Sequence, residues 1–275
     1  MIQQEQIAKQ LVRTALVVVT CAGFCLGGDI SAASNAGKLP SLLQRTGEQM
    51  SEYVERFSDV RCSEKVIQEK YKNNGNDKVD HKEESTYDYL VILSNNGGEL
   101  SLSESRLPVK EAKADKKNRS MLVSNGFATL FLVFHPLYAN SFDFTEAGDE
   151  VVDGRRLTKV AFRHIRGTRT PAALALRGRE YPLELSGTAW IDTETAAITR
   201  ISGGVENTMA DVGLNTLQTD VVFAPFPFKD LEKTYWFPQR AVVEVETPRQ
   251  HWRNTHEFTN YKRFSVSAEE QVANK

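Results

Sequence analysis

The spacing of apolar positions changes once along the chain, from helical to extended. After Pro40, apolar residues recur three to four positions apart, which predicts an amphipathic helix with one buried stripe. From Val60 onward the period falls to two, and turn sequences such as Asp153-Gly154 separate the extended runs, which favours hairpins. The helical stripe consists of Leu42, Leu43, Met50, Tyr53, Val54 and Phe57. We predict strands near 60–71, 85–94, 99–106, 141–150, 155–165, 180–192, 196–206, 215–224, 234–247 and 252–266.

One segment, Phe127 to Phe134, is apolar on every side and must therefore be surrounded by protein. Ser124 or Asn125 can cap a helix before it, and Pro136 can end one after it, so we predict a buried helix. A buried strand is the alternative, because period alone does not separate the two.

These elements predict a mainly β protein of the α+β class with a large antiparallel sheet. A flat sheet of this size would leave long edges and an uncovered face. The sheet is therefore expected to curve strongly around the amphipathic helix and the apolar inner helix. The lysine-rich stretch 109–118 has no periodicity and is expected to be a solvated loop, with no function assigned.

The N-terminus has the layout of a secretory signal. Lys9 and Arg13 precede an apolar run of 12 residues, and small residues at 31–33 offer a cleavage site, with 34–36 as a second one. The run is too short to span a bilayer, which requires roughly 20 residues. We expect residues 1–33 to be removed, 34–268 to form one domain and 269–275 to be a polar tail. The protein would then be periplasmic or secreted and not transmembrane.

Composition narrows the function classes. Hydrophobic residues make up 40% and charged residues 25% of the 275 positions, as in a folded globular protein. The 34 basic and 36 acidic residues nearly balance, which argues against a nucleic-acid partner. Removal of the leader would leave Cys62 as the single cysteine, expected to be a buried and inert thiol.

Local signatures of catalysis are missing from the sequence. It contains no H-E-x-x-H, C-x-x-C, G-x-S-x-G, phosphate-binding or dinucleotide-binding motif, and its five histidines lack metal-ligand spacing. We therefore expect no cofactor, no metal and no enzymatic activity. A carboxylate pair assembled from distant strands would escape this reasoning, and it leaves a hydrolase open as an alternative. Its candidate members are Asp143, Glu146, Asp192 and Glu194.

The stretch 188–201, TAWIDTETAAITRI, resembles the strand pair W-I-D-x-x-T-x-x-I-x-R-I of the LolA-like group of periplasmic lipoprotein carriers and outer-membrane lipoprotein-sorting proteins. The closing stretches 235–246 and 258–264 are similar to the last strands of that group, and 248–254 resembles uncharacterised exported proteins of soil bacteria. The resemblance covers mainly 180–266. It implies an unclosed β-barrel with helices on its concave side, a hydrophobic cavity between them, and non-enzymatic binding of acyl chains or lipidated proteins. Some relatives act as envelope-stress sensors.

Two groups of residues are candidates for such a site. Aromatic side chains can line a slot for an acyl chain, or they can simply fill the core. The segment 155–179 carries eight Lys or Arg residues and no acid, so its arginines can bind head groups or an acidic partner. They can equally form a solvated face balanced by acids such as Glu244 and Glu246. The candidates are Phe127, Phe131, Phe134, Trp190 and Trp252 for apolar contact, and Arg163, Arg166 and Arg169 for head-group contact.

Two main hypotheses result. The first is an exported binding protein that holds a lipid or the acyl chains of a lipoprotein on the concave side of the sheet. The second is an envelope interaction or stress-sensor module that docks a protein partner through the basic segment.

Overall fold

The computed structural model describes residues 37–57, 60–72, 78–96, 99–109, 127–176, 179–228 and 233–263. The predicted leader, nearly all of the 109–118 loop and the C-terminal tail lie outside these residues. Within them the protein is mainly β, as predicted, and its strands pair antiparallel.

One helix precedes the first strand, and the other helical elements lie between strands. Helix α1 spans Lys38–Phe57, a 3₁₀ helix spans Phe127–Phe134, and the short helix α2 spans Pro136–Ala139. A second 3₁₀ turn covers Ala210–Val212. The strands are β1 (Val60–Tyr71), β2 (Val79–Asn96), β3 (Glu99–Pro108), β4 (Phe142–Val152), β5 (Arg155–His164), β6 (Ala173–Leu176), β7 (Arg179–Pro182), β8 (Leu185–Asp192), β9 (Ile198–Val205), β10 (Thr216–Phe226), β11 (Tyr235–Glu246) and β12 (His251–Arg263).

Ten of the described strands form one sheet in the order β3-β2-β1-β12-β11-β10-β9-β8-β5-β4. The strands β3 and β4 are its two edges, so the sheet is not closed into a barrel. Most neighbours in the sheet follow one another in sequence, as in the predicted meander. There are two exceptions: β1 pairs with β12, where Val66 lies opposite His256, and β5 pairs with β8, from which β6 and β7 separate it in sequence.

Helix α1 covers one face of this sheet, which we call the inner face. Its buried stripe includes Leu42, Met50 and Tyr53, and Thr46 donates a hydrogen bond of 3.1 Å to the carbonyl oxygen of Ala196 at the β8–β9 turn. The 3₁₀ helix packs beside it, and residues 130–134 are at most 6% exposed. The core therefore lies between the inner face of the sheet and these two helices.

Two elements differ from the prediction. The apolar segment is a helix of the tighter 3₁₀ type, a distinction that an all-apolar pattern does not encode. The strand expected over 180–192 is divided between β7, which ends at Pro182, and β8, which begins at Leu185. Proline cannot donate to a sheet ladder, and β7 pairs with β6 in a separate two-stranded sheet.

Candidate functional site

The predicted aromatic residues do not meet in one place. Phe131 and Phe134 are each 2% exposed and belong to the core. Phe131 contacts the ring of Tyr53 at 4.8 Å, whereas Phe134 packs against Phe144 and Phe162 instead. Phe127 begins the 3₁₀ helix, and its side chain lies outside the described residues.

The two tryptophans lie on opposite faces of the sheet. Ala189 and Ile191 point into the core at 0% exposure, so Trp190 between them points to the other face, which we call the outer face. Its Nε1 donates a hydrogen bond of 3.1 Å to Glu150. Trp252 pairs with Val245 on the inner face and lies beneath the ammonium group of Lys70.

The predicted arginines lie at the surface, and Arg163 and Arg166 form ion pairs. The guanidinium of Arg163 lies 3.0 Å from a carboxylate oxygen of Glu206, and that of Arg166 lies 2.9 Å from one of Glu184. The carbonyl oxygen of Arg169 lies 3.3 Å from Nε2 of His164. The acids that balance this segment therefore include Glu184 and Glu206. Glu244, which we expected to balance it, contacts His251 and Arg253 instead.

A small apolar pocket lies between α1 and the hairpin formed by β10 and β11. We call it the helix–hairpin pocket. Its volume is about 30 Å³, which is enough for a water molecule or two, so side chains fill most of this space. Phe131 is the predicted candidate that lines it. The lining residues are Gln49, Met50, Tyr53, Phe131, Ala197, Ile198, Phe223, Lys233, Thr234, Tyr235 and Trp236.

Two of the lining residues, Lys233 and Tyr235, contact Glu52 of α1; we call these three side chains the latch, and the opening beside them the mouth of the pocket. One carboxylate oxygen of Glu52 accepts a hydrogen bond of 2.6 Å from the Tyr235 hydroxyl, and the other contacts the ammonium group of Lys233. The hydrogen bonds from Lys233 and Tyr235 hold the pKa of Glu52 below its ordinary value of 4.5. The latch thus ties α1 to the β10–β11 hairpin by charge.

Further aromatic residues surround the hairpin end of the pocket, and the sequence analysis did not select them. Phe237 lies 5.5 Å from Tyr53 and 4.9 Å from Tyr261, measured between ring centroids. Phe226 lies 4.6 Å from Tyr261, and Phe228 lies 5.7 Å from Phe237. The run Phe-Ala-Pro-Phe-Pro-Phe at 223–228 was the available signal, since it places three phenylalanines within six residues at the end of β10.

A buried ionic cluster lies elsewhere on the inner face and was also missed. Glu64 is 0% exposed and receives hydrogen bonds from Arg106 of 2.5 and 2.9 Å. Its Oε1 also lies 2.7 Å from Nδ1 of His256, and Arg106 contacts Glu104 at 2.8 Å. Burial alone would raise the pKa of Glu64, but these hydrogen bonds outweigh it and lower the pKa below 4.5. The residues come from β1, β3 and β12, so no local motif joins them.

The outer face carries a larger groove of about 690 Å³, which we call the outer groove. Arg200 stacks over Trp190 at 4.5 Å, and Arg155 stacks over Trp236 at 5.0 Å. Leu157 lies on this face and is nevertheless only 5% exposed. The groove is lined by Glu150, Val152, Asp153, Arg155, Leu157, Trp190, Thr199, Arg200, Val222, Phe223, Ala224, Pro225, Trp236 and Gln239.

The four acidic residues and the cysteine considered for catalysis do not form a catalytic pair in the described structure. Asp192 accepts hydrogen bonds of 3.0 and 2.9 Å from the backbone amides of Glu194 and Thr195, as in an Asx turn. Asp143, Glu146 and Glu194 are exposed. Burial raises the pKa of the Cys62 thiol to about 12, as expected for an inert cysteine.

Two features are absent from the described residues. No group of three or more His, Cys, Asp or Glu side chains is arranged to hold a metal ion in this part of the chain. Among the described helices, none is both long and apolar enough to cross a membrane.

Solved structures with a similar course of the chain come from bacteria. A DUF1329 family protein from Desulfovibrio piger matches with a TM-score of 0.43 and 11% identity, over 84% of this chain and 94% of that chain. An outer-membrane lipoprotein-sorting protein domain from Vibrio parahaemolyticus matches with a TM-score of 0.41 and 10% identity, over 82% and 94%. A LolA superfamily protein from Nitrosomonas europaea matches with a TM-score of 0.35 and 10% identity, again over 82% and 94%.

No described protein family matches the sequence, and no curated protein matches it at a significant level. Two of these neighbours, from Vibrio parahaemolyticus and Nitrosomonas europaea, are named as lipoprotein-sorting or LolA superfamily proteins, the group that the stretch 188–201 resembles. Likenesses this distant say nothing about a ligand or a mechanism.

Proposed function

We propose that this protein is an exported, non-enzymatic binding protein that holds a hydrophobic chain, from a lipid or a lipoprotein, in the helix–hairpin pocket. The sheet then acts as the strongly curved wall of an unclosed barrel. In the closed protein, α1 and the 3₁₀ helix occupy its concave side. Residues 1–33 direct the chain to the periplasm or out of the cell.

One observation carries this proposal: an apolar pocket between helix and sheet is closed at its mouth by exposed polar contacts. Met50, Tyr53, Phe131 and Phe223 supply apolar walls of the kind that lipid sites use. The side chains of Glu52 and Lys233 at the mouth are 35% and 48% exposed. An ion pair this exposed contributes about 1 kcal/mol or less, so the mouth can open at little cost.

Opening is required because the closed pocket is smaller than any acyl chain. Movement of the β10–β11 hairpin away from α1 would extend the pocket toward Phe226, Phe228 and Phe237. These rings already lie together beside the pocket and would give the chain a continuous aromatic wall. The pairing of β1 with β12 on the far side of β11 would stay intact.

Met50 and Leu42 provide a matched pair of variants. Both lie on the buried stripe of α1, at 7% and 6% exposure, but Met50 lines the pocket and Leu42 does not. Met50→Lys places a charge at the pocket wall, while the long side chain can still reach solvent at the mouth. We expect this variant to bind a fluorescent fatty-acid analogue at least about tenfold more weakly, a loss of about 1.4 kcal/mol.

Leu42→Lys is expected to lose similar stability and to keep the affinity of the parent protein. Circular dichroism checks that both variants are folded before binding is compared. Unchanged affinity in folded Met50→Lys would exclude the helix–hairpin pocket as the site. Equal losses in both variants would show that affinity follows stability rather than the pocket.

A second candidate function, an envelope interaction module, is favoured by the outer groove. Tryptophan and arginine are the residue types most enriched at the energetic centres of protein interfaces, and this groove contains two stacked pairs of them. The test is a photo-crosslinking residue at Gln239, introduced in the living host. A single envelope protein that crosslinks there, and no longer does so in Trp236→Ala, would support this function, and its absence would contradict it.

A further inference from the structure

The latch contains one hydrogen-bond acceptor, Glu52 on α1, and two donors, Lys233 and Tyr235, on the β10–β11 side of the pocket. Lys233 and Tyr235 belong to the pocket wall, whereas Glu52 reaches the mouth from α1 and does not line the pocket. Both oxygens of the Glu52 carboxylate are engaged, one by the Tyr235 hydroxyl and one by the Lys233 ammonium group. The pocket therefore holds a carboxylate at its mouth, and that carboxylate is the protein's own.

The surroundings of this carboxylate are cationic. Arg56, one turn further along α1, acts with Lys233 to favour the charged form of Glu52. Arg56 also interacts with the hydroxyl of Tyr235. If Glu52 moved aside, an ammonium group, a guanidinium group and a hydroxyl donor would be left around the opening of an apolar pocket. Two cations without an anion between them favour the binding of one.

We propose that the latch is a head-group site, in which Lys233 and Tyr235 bind the oxyanion of a single-chain anionic amphiphile whose chain occupies the helix–hairpin pocket. In the closed protein Glu52 occupies the position of that oxyanion, and the ligand displaces it. This inference rests on the proposed function, because it concerns the same pocket. A carboxylate and a phosphate monoester share the required chemistry.

The ligand series that tests it keeps the chain constant and changes the head. Calorimetry at pH 8 compares dodecanoate, dodecyl phosphate and dodecanol. We expect at least one of the two anions to bind about tenfold more tightly than the alcohol, because charge-assisted hydrogen bonds are the stronger class. The tighter of the two anions identifies whether the source is a fatty acid or a phosphorylated lipid.

Substitutions then assign the preference to the latch. Lys233→Met should lower the affinity for the anion to about that for dodecanol, because the ammonium group is lost while the aliphatic stem is kept. Glu52→Gln should raise the affinity for the anion, because it removes the competing charge. Lys159→Met is the matched control: Lys159 is a surface lysine paired with Glu150 at 3.1 Å and lies outside the pocket.

The possible failures are distinct. Equal affinities for the three ligands, or an anion preference that survives Lys233→Met, would refute the head-group site and leave the apolar pocket standing. Weaker binding of the anion in Glu52→Gln would refute the displacement of Glu52. Binding of none of the three ligands would refute the proposed function itself.

Discussion

At the scale of single residues, Glu64 is a charged side chain that is fully enclosed by the protein. It is fully buried, and a carboxylate in such a position is tolerated only when it is paired and hydrogen bonded. Arg106 supplies two hydrogen bonds and the ring of His256 contacts the same carboxylate. The guanidinium of Arg106 also lies 5.3 Å from the ring centre of Tyr89, so the cluster is packed as well as paired. Its members depend on one another.

Removal of the charge at this position should therefore be costly. Glu64→Gln replaces the buried carboxylate that Arg106 and His256 share with a neutral amide, and we expect a loss of about 3–5 kcal/mol in the free energy of unfolding. The matched variant is Glu84→Gln, which breaks exposed pairs with Lys65 and Lys82 and should cost less than about 1 kcal/mol. Urea denaturation measures both. Similar losses in the two variants would show that the buried cluster contributes nothing special.

The same carboxylate predicts how stability depends on pH. Since the pKa of Glu64 is lowered on folding, its contribution is complete above the unfolded value of about 4.5 and is lost as the pH falls through the lower, folded value. Unfolding free energies measured between pH 7 and pH 3 should decline mainly below pH 4.5. In Glu64→Gln that decline should be shallower. An equally steep decline in the variant would assign acid sensitivity to other carboxylates.

At the scale of elements, two glycines set how closely β8 and β9 approach the aromatic core. Gly187 and Gly203 lie opposite each other, and the ring of Phe162 fills the space above both. A Cβ atom on Gly187 would lie 2.2 Å from the carbonyl oxygen of Ser202 and 2.7 Å from Cζ of Phe162. No side chain fits there without movement of the backbone.

Gly187→Ala is accordingly expected to destabilise the protein by about 1–3 kcal/mol, the usual range for an overpacked core. Gly37 is the control, because a Cβ atom there has no atom within 4 Å and alanine should change stability by less than about 0.5 kcal/mol. Thermal unfolding of the two variants is the measurement. An unchanged melting temperature in Gly187→Ala would mean that β8 and β9 can separate without loss.

The helices and strands also show which parts of the fold the spacing of apolar residues predicts. The spacing of apolar residues predicted α1 and the limits of β1, because burial along one element is a local property. The pattern did not distinguish the 3₁₀ helix, because its sequence is apolar at nearly every position and so carries no period; the described side chains at 130–134 are buried. The pattern also missed β6, a strand of four residues that pairs with β7 in the connection between β5 and β8. The spacing of apolar residues predicts an element best when one face of that element is exposed to solvent and the other is buried.

At the scale of the whole molecule, the site was less predictable than the fold. The aromatic candidates were selected by residue type, but burial assigned Phe134 to the core and the alternation of strand faces placed Trp190 on the outer face. The latch joins Glu52 to Lys233, residues far apart in sequence, through the arrangement of α1 against the β10–β11 hairpin. Such pairs depend on how distant elements pack against each other, and the pattern of a single sequence does not predict that packing.

Ligand binding in the pocket should stabilise the whole protein and protect particular parts of it. A ligand at one hundred times its dissociation constant adds about 2.7 kcal/mol, which corresponds to a rise of about 5–10 °C in the melting temperature of a domain this size. Dodecanoate should produce this rise in the parent protein and a much smaller one in Met50→Lys.

Hydrogen exchange then locates the effect. In the free protein, amides of 223–228 and 233–237 and of the second half of α1 should exchange faster than those of β1 and β12, because the proposed opening of the mouth separates these segments. Ligand should slow exchange in the first group and leave the paired centre of β1 and β12 unchanged, since those strands do not move. Protection spread evenly over all strands would indicate global stabilisation without a moving hairpin, and the opening of the latch would then be wrong.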